Sequence, residues 1–148
     1  MSQWERAILE GNQAFGQDRL EDAEGLYISA CGLAKDQLDT LQDPEAAIMA
    51  LVVSYQNLAD LYFRCGDFGI GLSLIKDLHI ELVRYLAQHS DCAFRAGVVS
   101  CARRRICRDL MLTVKQLELP LPKTGWLSDP TWGHFGLQST QGSKELLQ

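Results

Sequence analysis

The chain has 148 residues, 47% of them apolar, 22% charged and 8% aromatic, and a formal net charge of −5. That is enough apolar chain to bury about two thirds of its unfolded surface in one domain, which excludes disorder for the bulk of it. No apolar run approaches the roughly 18 residues of a membrane span, and Met1–Arg6 lacks the pattern of a signal peptide, so a soluble cytoplasmic protein without a membrane role is expected.

In chain order the one strong periodic signal is helix. Ser2-Gln3-Trp4-Glu5 is a capping-box pattern opening a helix over about residues 3–15, with Gly16 suited to the left-handed residue that closes it. A second helix covers about 19–41, starting near Asp18, with the stripe Leu20, Ala23, Tyr27, Ala30, Ala34 and Leu38. Asp43 then caps and Pro44 takes the first position of a third helix, where its missing N–H costs nothing. That helix spans about 45–65 and ends at Gly66. A fourth covers about 68–89. The fifth follows Ser90 or Asp91, covers about 91–118, and is stopped by Leu119-Pro120-Leu121-Pro122. No alternating run is long enough for a strand. The fold class is all-α.

The five cysteines are an odd number and read as reduced, buried apolar residues. Charge is uneven. Residues 1–45 carry 10 acidic against 3 basic side chains, whereas residues 91–118 carry 3 against 6. A net-acidic chain with one aromatic in its basic helix is a poor nucleic-acid binder. No metal-ligand spacing, phosphate loop or nucleophile motif is visible, so neither a cofactor, a metal nor catalysis is expected.

The helices repeat. Tyr55-x2-Leu58-Ala59-x2-Tyr62, then Gly66-Asp67-Phe68, Gly71, Ile75 and Leu78, form one copy; Gly11, Leu20, Ala23, Tyr27 and Ala30 form a weaker one 48 residues earlier. Two antiparallel helices cross closely only where a side chain is nearly absent, so Gly11 with Ala23 and Ala59 with Gly71 are expected at crossings. An aromatic four residues on then fills the widening gap.

This pattern resembles the tetratricopeptide (TPR) family over residues 4–118, in the long-helix variety found in kinesin light chains. The resemblance implies antiparallel helix-turn-helix repeats stacked as a short right-handed solenoid of about five helices, two repeats plus a capping helix. It also implies a protein-interaction module, an adaptor, co-chaperone or regulatory subunit, holding a peptide or partner helix in a concave groove. By position, the groove residues are Ile8, Asn12, Phe15, Val53, Gln56, Asn57, Asp60, Phe63 and Arg64, joined by Arg104, Arg105 and Arg108 of the fifth helix. The arginines suit an acidic peptide or the acidic surface of another copy. The alternative is a homo-oligomeric structural protein, such as a homodimer, whose groove is filled by its own tail or by a neighbour. Residues 119–148 form that tail. Trp126, Trp132 and Phe135 could each bury about 150–250 Å², enough to dock about 119–137 but not the last residues, which are expected to fray.

Overall fold

The computed structural model describes residues 1–40 and 42–118, and within them the chain is all-helical, with no strand. The helices are α1 (Gln3–Gly16), α2 (Leu20–Thr40), α3 (Pro44–Arg64), α4 (Phe68–Gln88) and α5 (Ala93–Gln116). The tail with Trp126, Trp132 and Phe135, and every expectation attached to it, lies outside the described residues.

Local chemistry sets the ends. Ser2 Oγ accepts from the Glu5 N–H at 3.1 Å while Glu5 Oε2 accepts from the Ser2 N–H at 3.0 Å, which completes the capping box. Asp43 Oδ1 accepts from the backbone N–H groups of Glu45 and Ala46, with Pro44 at the first helical position. Two expected ends differ. Gly16 is helical, and the left-handed residue closing α1 is Asp18 (φ 58°), so α2 begins at Leu20. Aspartate tolerates that conformation better than most residues because its short polar side chain can bond locally. The cap of α5 is Cys92, with no side-chain hydrogen bond, rather than Ser90 or Asp91.

Two turns close by one mechanism. The Arg19 N–H donates to Ala14 O at 2.9 Å and the Asp18 N–H to Phe15 O at 3.1 Å; 48 residues later the Asp67 N–H donates to Tyr62 O at 2.8 Å and the Gly66 N–H to Phe63 O at 3.1 Å. Each is a Schellman closure around one left-handed residue, Asp18 in the first and Gly66 (φ 83°) in the second.

The chain divides into two compact units, Met1–Glu81 and the part from Leu82 onward, with the boundary inside α4. In the first unit α2 packs on α1 and on α3. The α2 stripe is buried as its spacing implies, through Ala23, Tyr27, Ala30, Cys31 and Ala34. Around it lie Ala7, Ala14, Ile48, Leu51, Val52, Leu58, Ala59, Leu61, Ile75 and Leu78. Alanines at so many of these positions let helices approach closely, since a small side chain sets a short interaxial distance. Among the described residues of the second unit the buried ones are Leu82, Tyr85, Val99, Ala102, Arg103, Ile106, Leu110 and Val114. α3 is the one described helix long and apolar enough to cross a membrane, but most of that stretch is buried within the protein, as suits a core helix.

The crossings sit at the expected small residues. A Cβ added to Gly11 would come within 2.7 Å of the Tyr27 ring, and one added to Gly71 within 2.6 Å of the Phe63 ring. Ala23 and Ala59 are wholly buried. In both hairpins the helix that carries the alanine also carries, four residues on, the ring that covers the partner helix's glycine.

Candidate functional site

α1 and α3 lie side by side in the first unit, joined by three contacts along their length. Near the amino end of α1, Trp4 Nε1 donates to Ser54 Oγ at 2.7 Å, and that hydroxyl donates to Ala50 O at 2.6 Å. Midway, Asn12 Oδ1 accepts from Tyr27 O–H at 2.7 Å and from Asn57 Nδ2 at 3.3 Å. At the far end Arg64 Nη2 donates to Asp18 Oδ1 at 2.8 Å, and its guanidinium carbon stands 4.8 Å from the centre of the Phe15 ring. Phe15 in turn meets Tyr27, ring centres 6.4 Å apart.

Sequence spacing explains why this seam is polar. Val53, Asn57, Asp60 and Arg64 recur at four, three and four residues and so share one face of α3; Ile8, Asn12 and Phe15 do the same on α1. Asn12, Asp60 and Arg64 are exposed; Phe15, Val53, Gln56 and Asn57 are half-buried. The other two groove candidates sit elsewhere. Ile8 is buried, 8% exposed, and Phe63 is buried over Gly71, 5% exposed, so both are core residues and offer no side-chain surface to a ligand. Position on a helix set their angle, but the packing of the next helix decided which side of that angle was covered.

Burial shapes the titratable groups of this unit. The Tyr27 hydroxyl is pushed above its ordinary range by desolvation and then by the carboxylate of Asp60. Burial also pushes the Cys31 thiol up to about 12, against the pull of Lys35, which leaves it a neutral thiol at physiological pH. Tyr62 is raised as well, by desolvation first and then by Glu24.

In the second unit the arginine run divides. Arg103 is buried, 3% exposed, whereas Arg104, Arg105 and Arg108 are exposed on the outer face of α5. Arg105 pairs with Asp109 at 3.7 Å, both side chains more than 40% exposed, a contact of little strength. Arg95 Nε donates to Tyr85 O–H at 3.1 Å beside a Tyr85–His89 ring contact of 4.5 Å. Among the described residues no group of three His, Cys, Asp or Glu could hold a metal ion.

The reading from spacing missed Trp4, Ser54 and Tyr27 as members of the seam. The signal for Trp4 was present: it stands four residues before Ile8 and eight before Asn12, on the same side of α1. Ser54 and Tyr27 carried none, because each reaches the seam through a packing contact that no single-helix periodicity encodes.

No curated protein and no solved structure matches the chain. A family model described as "Protein of unknown function (DUF2753)" matches residues 2–117, α1 through α5, and the chain belongs to that family.

Proposed function

We propose that this chain is a TPR-like protein-interaction module, an adaptor or regulatory subunit, that holds a segment of a partner protein along α1 and α3. The observation that carries the reading is the Asn12–Asn57 pair. Asn12 Oδ1 is committed to Tyr27 and Asn57, so the groups through which this pair would meet a ligand are the Asn12 Nδ2 donor and the Asn57 Oδ1 acceptor. One donor and one acceptor are what a single peptide unit of a bound chain requires. Val53 adds apolar contact area on one side of Asn57, and Asp60 and Arg64 add charge on the other.

Selection of displayed random peptides against the full chain, followed by titration of the selected peptides, tests this. A peptide that loses at least tenfold in affinity on Asn57→Ala, about 1.4 kcal/mol, while the melting temperature holds, supports the reading. Selected peptides that bind the variant and the parent equally would sink it.

A further inference from the structure

We infer that the outer face of α2 is the docking surface for the outer face of α5 from a second copy of this chain. The two faces are built on one template. On α2 they are Gly25, Ile28, Gly32, Asp36 and Asp39; on α5, Phe94, Gly97, Cys101, Arg105 and Arg108. Both sets step by three, four, four and three residues, so each occupies an arc of about 80° and a length of about 21 Å. All ten residues are exposed, Ile28 by 50% and Phe94 by 61%.

Set parallel with these positions level, every height pairs a projection with a gap or an acid with a base. Phe94 meets Gly25, Ile28 meets Gly97, Cys101 meets Gly32, Arg105 meets Asp36 and Arg108 meets Asp39. Among the described residues nothing lies within 4 Å of where a Cβ at Gly25, Gly32 or Gly97 would stand, so no described neighbour requires these glycines to be bare. A glycine inside a helix weakens it relative to alanine, and close approach of another helix is what a missing Cβ permits. The charges select the partner. α2 belongs to the strongly acidic part of the chain and α5 to its basic part, so the complementary face is already present on every copy. Arg105 can exchange its 3.7 Å pair with Asp109 for Asp36, since an ion pair with both side chains more than 40% exposed holds little energy. The one like-charged height, Lys35 level with Arg104, lies on the flank, and Lys35 is drawn aside to Glu81 at 3.8 Å.

Because the two faces differ, the contact is heterologous: each copy uses α2 towards one neighbour and α5 towards another, unless two copies close on each other. The inference does not rest on the α1–α3 seam and stands or falls without it.

Light scattering of the full chain across a concentration series tests it. The expected result is a mean mass that climbs above that of one chain with concentration and falls back as salt is added, since the outer ion pairs are screened. Arg105→Glu with Arg108→Glu, and separately Asp36→Arg with Asp39→Arg, should each return the protein to single chains. Mixing those two variants in equal amounts should restore assembly, because each then supplies the face the other needs. Gly25→Leu should abolish assembly without lowering the melting temperature, which separates a blocked surface from a damaged fold. A chain that stays single at every concentration overturns the inference, as does assembly indifferent to the charge reversals or a mixture that stays apart. A single chain that instead binds a glutamate-rich helical peptide through Arg105 and Arg108 also overturns it, in favour of a foreign occupant.

Discussion

The two hairpins of the first unit, α1–α2 and α3 with the stretch of α4 up to Glu81, close with the same turn and cross with opposite polarity. In the first, the glycine is on the leading helix (Gly11) and the ring on the following one (Tyr27); in the second, the ring leads (Phe63) and the glycine follows (Gly71). A close crossing therefore needs one bare position and one ring, and it is indifferent to which helix supplies each. The polar consequence is not symmetric. Tyr27 carries a hydroxyl that reaches past Gly11 to Asn12 on the seam. Phe63 has no such group, so only the first hairpin ties its crossing to the surface that α1 shares with α3.

Removing a ring is the strongest way to break this comparison. Phe63→Ala is expected to cost about 3–5 kcal/mol, read as a shift in the denaturant midpoint. Gly71→Ala alone should destabilise by about 1–3 kcal/mol by forcing the ring to move. In the Phe63→Ala background the same methyl should cost nothing, because the space it enters is empty. Additive effects in that cycle would show that Phe63 and Gly71 do not share one contact.

The turns sharpen the comparison with smaller effects. Gly66→Ala puts a Cβ on a left-handed residue and should destabilise by about 1–2 kcal/mol. Asp18→Gly removes that strain from the first turn but also removes an exposed ion pair to Arg64, worth about 0–1 kcal/mol. Its net effect on the same midpoint should be within about 0.5 kcal/mol. Equal costs at both positions would mean that the two closures are not held by the same means.

Most of the fold was legible from spacing because its determinants are local. Capping at Ser2 and Asp43, the glycine at 66, the proline at 44 and the apolar stripe of α2 each act within one or two helical turns. The closing residue of α1 was not legible. Gly16 is the better left-handed residue by type, yet Asp18 takes the position, with its side chain engaged by Arg64 46 residues later in the chain. The candidate surface was half legible for a related reason. Asn12, Asn57, Asp60 and Arg64 share faces that periodicity identifies, whereas Ile8 and Phe63 stand close to those faces and are covered by a neighbouring helix. Within α5 the same contrast separates neighbours in sequence: Arg103 is buried alongside the stripe of Val99, Ala102, Ile106 and Leu110, whereas Arg104, Arg105 and Arg108 are exposed.

The grip of Arg64 on Asp18 also bears on the order in which the molecule assembles. Gly66 can adopt its backbone geometry unaided, so the later hairpin can begin from a short stretch of chain. Asp18 is held in a less favourable geometry by a side chain that leaves the ribosome long after it. The first bend is therefore completed only once α3 has joined it, and pulse-labelled amide exchange during refolding is expected to find protection at Asp67 before Arg19.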